Sequence, residues 1–134
     1  MFMLRTKCIL LPPTNSDGVR ISVMSRHTLS DGITPDARIS PDWSYDLWLK
    51  DLAPPDNLVG SFYRGKINFS QYNDLYLAHL RKDLCVIIIK EIARYALHKR
   101  VTFLCIELIP TLCHRTPLLY ECWRYEPTLH LQNF

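Results

Sequence analysis

The stretch that decides the fold is DLCVIIIKEIARYALHKRVTFLCIE, residues 83–107. Its first part carries apolar residues at the three- and four-residue spacing of one helix face, namely Ile88, Ile89, Ile92, Ala93, Ala96 and Leu97. This predicts a helix that follows Asp83 and ends with the basic residues 98–100, whose charge suits the negative end of a helix dipole. Residues 101–106 are almost entirely apolar, which predicts a strand covered on both faces.

Strands and helices also alternate on both sides of this stretch. Apolar patterns, prolines and capping residues predict strands at 5–11, 19–24 and 128–131, a short extended segment at 45–49, and helices at 54–65, 68–80 and 116–125. Thr116 is the expected cap of the last helix, with Pro117 as its first residue. The alternation indicates βαβ units, so we expect residues 1–134 to form a single three-layer α/β domain with a mostly parallel sheet flanked by helices.

Composition excludes two classes of protein and favours no partner. With 48% hydrophobic and 22% charged residues in 134, the chain is not disordered as a whole. The longest unbroken apolar run, 84–89, is far shorter than the roughly 20 residues of a membrane span, so no membrane association is predicted. A net charge of +3 is too small to indicate nucleic acid or any other partner by itself.

The cysteines favour a reducing compartment. The chain has five, which is an odd number, and the stretch 1–11 lacks the apolar core of a secretory signal. We therefore expect free thiols and a cytoplasmic location. Four of the five lie within apolar or helical patterns, where cysteine is usually a small hydrophobic residue. Cys113 is the exception.

Two loops that leave predicted strand ends carry polar and reactive residues. The first, 25–28, contains Arg26 and His27, and the second, 107–115, contains Glu107, Cys113, His114 and Arg115. Ligands of parallel sheets bind beyond the carboxyl ends of the strands. Free amides at a helix N-terminus attract anions and lower a thiol pKa, which favours a thiolate next to the predicted helix start.

These residues predict a site for an anionic ligand, with a role for each. Cys113 is the candidate nucleophile or oxyanion ligand, and Glu107 or His114 is the candidate acid–base group. Arg26, His27, Arg115 and Thr116 are the candidate ligand-binding residues, and the sequence names no cofactor. These residues also have simpler interpretations. Cys113 would be an inert loop thiol, and Arg115 would be an arginine paired with a carboxylate. Glu107 would be the first exposed residue after a strand, and Arg26 and His27 would be ordinary loop residues.

Zinc is the competing chemistry at the same loop. Cys105, Glu107, Cys113 and His114 are suitable ligand types, but their spacing fits no common zinc finger or ribbon. Cys105 also lies inside a predicted strand. The Gly-rich phosphate loop, the Gly-x-Ser-x-Gly elbow and the His-Glu-x-x-His motif are all absent from the sequence. We therefore rank an anion site above zinc and predict no metal site.

Three segments of the chain resemble the YeaO-like proteins, the family of domain of unknown function 488 (DUF488). The first is the helical region that contains Leu52, Ala53, Pro54, Pro55, Leu58, Phe62, Phe69, Tyr76 and Leu80. The second is the strand and loop 104–107, followed by Cys113, His114 and Arg115. The third is the strand 20–24 with Arg26. The resemblance spans about residues 7–130 and implies a compact α/β fold and a cytoplasmic protein. Many relatives place an aspartate where this chain has Met24 or Ser25, which puts that part of any activity in doubt.

Two functions of different classes follow from these patterns. The first is a pocket for a small anionic ligand, such as a nucleotide or phosphoester, built around the Cys-His-Arg loop at the strand ends. The alternative is a non-catalytic module that binds nucleic acid or a protein, supported by the basic clusters 81–82 and 98–100. Such clusters more often mark solvated helix ends.

Overall fold

The computed structural model describes residues 3–29, 31–106 and 115–133. Within them the chain forms five strands and four α-helices. In chain order these are β1 (Met3–Cys8), β2 (Val19–Ser22), β3 (Leu47–Trp48), α1 (Asp56–Tyr63), α2 (Phe69–Leu80), α3 (Asp83–Ala96), β4 (Val101–Cys105), α4 (Arg115–Tyr125) and β5 (His130–Asn133). Short 3-10 helices at Asn15–Asp17 and Lys50–Leu52 precede β2 and α1.

The strands form one parallel sheet in the order β3-β2-β4-β1-β5. Strand β4 lies between β2 and β1, pairing Val101 with Val19 on one side and with Leu4 on the other. The predicted α/β fold with a mostly parallel sheet is confirmed. Because β2 and β4 are parallel neighbours, their carboxyl ends lie at the same edge of the sheet, as the sequence predicted.

The main hydrophobic core lies between the sheet and the helices. Alternate strand residues, including Leu4, Ile21 and Phe103, point into it. They meet side chains from all four helices, of which Tyr76, Ile89 and Leu119 are fully buried. The aromatic residues of α2 are therefore core residues, because they fill the space between this helix and the sheet.

Loop segments cover the opposite face of the sheet. A second, smaller core there joins Ile9, Leu104 and Cys105 to Met24 and Ile39 from the long connection between β2 and β3. The charged side chains that alternate with apolar residues along β1 and β2 lie under this layer. Lys7 and Arg20 are only 7% and 5% exposed as a result.

Several predicted boundaries shift for local reasons. Strand β1 stops at Cys8 and not at 11, because the Leu11 amide donates to the Cys8 carbonyl and closes a turn. Helix α3 ends at Ala96, where the amides of Leu97 and His98 bond three residues back, so the basic residues 98–100 follow the helix. Helix α4 begins at Arg115, which places Thr116 in its first turn and not at its cap.

No helix in the described ranges is long and apolar enough to cross a bilayer.

Candidate ligand-binding cavity at the strand ends

A cavity of about 890 Å³ lies at the carboxyl ends of β2 and β4. Met24, Ser25 and Arg26, which follow β2, line it together with Cys105 and Ile106 at the end of β4. The loop after β2 and helix α1 supply most of the remaining wall. The cavity therefore occupies the place at which parallel sheets bind ligands, and Arg26 is the predicted ligand-binding residue that the structure describes there.

Of the residues that the structure describes, three arginines and one carboxylate line this cavity. The arginines are Arg26, Arg38 and Arg64, and the carboxylate is Asp36. Arg26 comes from the strand-end loop, Arg38 from the same long connection, and Arg64 from the residue that caps the end of α1. Their charges sum to +2 on the cavity wall, which favours an anionic ligand.

Asp36 is a buried carboxylate that holds Arg38 at the cavity. It accepts hydrogen bonds from Nε (3.0 Å) and Nη2 (2.8 Å) of Arg38 and from the Arg38 amide (3.0 Å). The Asp36 residue is 3% exposed, whereas the Arg38 side chain is 60% exposed. The hydrogen bonds from the Arg38 side chain and amide lower the pKa of Asp36, so this group is ionised at neutral pH.

Arg26 joins the loop after β2 to the start of α1. Its Nε lies 3.3 Å from Oδ1 of Asp56, in the first turn of that helix. Its Nη1 lies so close to Gly32 that a Cβ at that position would collide with it, and Gly32 also has a positive φ of 73°. Only glycine fits this close approach without strain. Both partners in the ion pair are about half exposed, so a ligand can compete with Asp56 for the guanidinium.

His27 belongs to the loop after β2, but it lies outside the cavity lining. Its ring stacks on Trp48 with a centroid distance of 3.9 Å, and its Nε2 lies 2.7 Å from Ser22 Oγ. Trp48 in turn donates from Nε1 to the carbonyl of Met24 at 2.7 Å. Burial lowers the pKa of His27 to about 4, so the ring is neutral at pH 7. In this position His27 supports the cavity wall through its packing.

Thr116 lines a different cavity. This second space of about 350 Å³ lies between α2 and α4, with Arg81 and Glu121 also in its wall. Arg81 Nε lies 3.1 Å from Glu121 Oε1. Arg26 and Thr116, both predicted to bind one ligand, therefore line separate cavities.

The remaining predicted residues fall where the structure gives no side-chain description. Glu107, Cys113 and His114 lie outside the described residues, and Arg115 is described only as the first residue of α4. Of the four residues considered as zinc ligands, the structure describes Cys105. Within the described ranges no group of three or more His, Cys, Asp or Glu side chains could hold a metal ion.

The other four cysteines are buried thiols. Cys8, Cys85, Cys105 and Cys122 are each 3% exposed or less. Burial raises the pKa of Cys85 and of Cys122, which keeps both thiols protonated at neutral pH. These positions agree with the expectation that cysteines within apolar patterns are core residues.

A buried ionic cluster, which the sequence analysis missed, lies on the loop-covered face of the sheet. Fully buried Asp17 accepts hydrogen bonds from Nζ of Lys7 at 3.1 and 3.0 Å, and Arg20 Nε lies 3.3 Å from its carboxylate. Arg5 Nη1 lies at 3.9 Å. The charged residues at alternate positions of β1, Arg5 and Lys7, were the available signal.

Comparison with known proteins gives the family. No curated protein and no solved structure is significantly similar to the chain. The model of the family described as the active DUF488-N3 subclade matches residues 4–123, a range that begins within β1, ends within α4 and leaves out β5. The match agrees with the segments that resemble DUF488 proteins. The chain therefore belongs to the DUF488 family, within its N3 subclade.

Proposed function

We propose that this protein binds a small phosphoester anion in the cavity at the ends of β2 and β4. The observation that carries the proposal is the set of three arginines, Arg26, Arg38 and Arg64, which share the wall with one carboxylate among the described residues. Arginine is suited to phosphate because its planar guanidinium donates two parallel hydrogen bonds. The buried Asp36 keeps one of these guanidiniums oriented before any ligand arrives.

The catalytic part of the proposal rests on the sequence. Ile106 is in the cavity wall, and Glu107 is the next residue along the chain. We assign Cys113 the role of nucleophile or oxyanion ligand, and Glu107 or His114 that of acid–base group. The subclade is described as active, which favours an enzyme over a binding module. A reducing cytoplasm would suit a site that depends on a thiolate.

A nucleic-acid-binding module has weaker support. Arg81, from one of the two basic clusters, is paired with Glu121, and the other cluster occupies the turn after α3. Phosphate contacts with DNA or RNA would give binding that falls steeply with salt. Saturable binding of a small anion at constant ionic strength would favour the cavity instead.

Heat stability in the presence of phosphate tests the anion site. A ligand that binds the native state raises the melting temperature by mass action. Phosphate should therefore stabilise the wild-type protein more than chloride at matched ionic strength, and Arg38→Ala should remove most of the increment. Arg94→Ala is the matched control, because Arg94 pairs with Glu91 on the exposed side of α3. An equal increment in wild type and Arg38→Ala would refute the assignment of the cavity.

The same measurement tests whether the loop 107–115 contributes. Arg115→Ala should also remove most of the phosphate increment if this arginine binds the anion. If Arg38→Ala loses the increment and Arg115→Ala keeps it, the ligand binds in the cavity without Arg115, and the proposed role of Arg115 is wrong.

A further inference from the structure

The two sides of the strand-end cavity differ in chemistry. The loop after β2 supplies polar and charged groups, including Arg26, Asp36 and Arg38. Helix α1 supplies Val59, Gly60 and Tyr63, which carry no charge. A cavity of about 890 Å³ is also near the upper end of the range for sites that hold an organic molecule, and it is far larger than a phosphate ion requires.

Gly60 is an unusual residue for its position. It lies inside α1, where alanine would stabilise the helix, and it is not among the glycines with a positive φ. A Cβ on Gly60 would meet the guanidinium end of Arg64, with Nη1 at 2.9 Å, and no backbone atom stands among its nearest contacts. Neither the backbone conformation nor packing against another element requires glycine here. Its effect is to let the Arg64 guanidinium lie close against the surface of α1 at the cavity.

An aromatic residue stands beside this glycine. Tyr63 is three residues after Gly60, which puts both on one side of the helix, and the residue is 73% exposed while it lines the cavity. The Arg64 guanidinium lies across Gly60. A tyrosine ring and a guanidinium are the two kinds of planar group on which nucleobases stack.

We infer that the ligand of this cavity is a nucleoside monophosphate, a phosphoester whose flat base lies beside α1 at Tyr63. The base stacks on the Tyr63 ring next to the Arg64 guanidinium, and the phosphate binds at Arg26 and Arg38. This inference rests on the proposed function, because it assigns the organic part of the same ligand.

Calorimetric titration separates the base from the phosphate. The probes are inorganic phosphate, ribose 5-phosphate and the 5′-monophosphates of adenosine, guanosine, cytidine and uridine. At least one nucleotide should bind about tenfold or more tighter than ribose 5-phosphate, since stacking on one aromatic side chain contributes that much. Tyr63→Ala should remove this preference and leave the affinity for inorganic phosphate unchanged.

Gly60→Ala provides a second variant that does not depend on removing a side chain. It should raise the melting temperature, because alanine favours the helix, yet lower nucleotide affinity about tenfold by displacing the Arg64 guanidinium from its place beside the base. Tyr95→Ala is the matched control, since Tyr95 is an exposed tyrosine on α3 away from the cavity. It should bind nucleotides as the wild type does.

Three other results of these titrations would overturn the proposal in whole or in part. Equal affinity for phosphate, ribose 5-phosphate and all four nucleotides would overturn the base site and leave the anion site standing. A nucleotide preference that survives both Tyr63→Ala and Gly60→Ala would overturn its placement on α1. If none of the probes binds, both this inference and the proposed function fail.

Discussion

Asp36 and Arg38, two residues apart in a loop, form a bidentate pair with hydrogen bonds of 3.0 and 2.8 Å at the edge of the strand-end cavity. The carboxylate is buried and the guanidinium is exposed, so the pair fixes a cation where a ligand can reach it. Charge-assisted, two-point contacts of this kind orient arginine more firmly than a single hydrogen bond does.

Replacing Asp36 with asparagine should weaken anion binding without removing any cation. The amide has one acceptor oxygen and no charge, so it cannot form the two-oxygen pair with the guanidinium, and Arg38 loses its fixed orientation. We expect the melting-temperature increment from phosphate to fall by about half or more. Glu91→Gln, which breaks the exposed pair with Arg94, is the control and should leave the increment intact. An unchanged increment in Asp36→Asn would mean that Arg38 needs no such support.

Removing the charge of Asp17 should destabilise the whole fold. The carboxylate is fully buried among Lys7, Arg20 and Arg5, and its loss would remove the negative charge that these buried cations face. Breaking a buried pair in this way costs about 3–5 kcal/mol. Urea unfolding of Asp17→Asn at pH 7 measures the loss, with the exposed Asp42→Asn as control. A loss below about 1 kcal/mol would show that the cluster contributes little.

The contribution of Asp17 should also disappear in acid. Burial by itself raises the pKa of this carboxyl, but hydrogen bonds from Thr14 and Lys7 outweigh that effect and lower the pKa below 3.8. A lowered pKa in the folded state adds stability that is present above pH 3.8 and is lost as the pH falls through the folded value. The stability difference between wild type and Asp17→Asn should therefore shrink below pH 3.8. A constant difference down to pH 2 would contradict this assignment.

His27 should make the fold weaker in mild acid. Its folded pKa of about 4 lies below the ordinary 6.5, so between these values the unfolded chain binds the proton that the folded protein excludes. Stability should fall from pH 7 to pH 4.5, and His27→Gln should reduce this fall. Urea unfolding at the two pH values checks it, with the exposed His98→Gln as control. An NMR titration that places the His27 midpoint near 6.5 would refute the burial effect.

Cys113 should be the first cysteine to react with iodoacetamide. If it lies next to the start of α4 beside His114 and Arg115, its pKa falls below the roughly 8.5 of a free thiol. The other four cysteines are buried, so brief treatment at mildly acidic pH should label Cys113 before Cys8, Cys85, Cys105 or Cys122. Mass spectrometry of the peptides gives the order. Labelling of Cys113 at the same time as the buried thiols, or later, would count against a functional thiolate.

Most of the fold could be predicted because its signals are local and periodic. The helical spacing of Ile88, Ile89 and Ile92 and the apolar run at 101–106 correspond to α3 and β4, and their alternation with neighbouring elements indicates a parallel sheet. The layer of loops that covers the face of the sheet opposite the helices was not evident from the sequence. Arg20 is buried under an irregular loop, and no periodic pattern in the sequence reveals such a cover.

The sequence predicted only the part of the candidate site that lies beyond the strand ends, where parallel sheets bind ligands. Arg26 lies in the loop that follows β2, and the structure places it in the cavity. Arg38 and Arg64 reach the same wall from a loop and from the end of α1, distant positions that no spacing in the sequence connects. The burial of His27 depends on stacking against Trp48, twenty-one residues away along the chain, which local patterns also do not reveal.

Mapping phosphate binding by NMR tests the central claim most directly. Inorganic phosphate is titrated into ¹⁵N-labelled protein at constant ionic strength, and amide shifts are followed along the chain. The account predicts saturable shifts that are largest around Ser25, Arg26, Arg38 and Arg64, the residues that bring cations to the strand-end cavity. Shifts confined to the groove between α2 and α4, shifts scattered over surface lysines, or no saturable shift at all would contradict it.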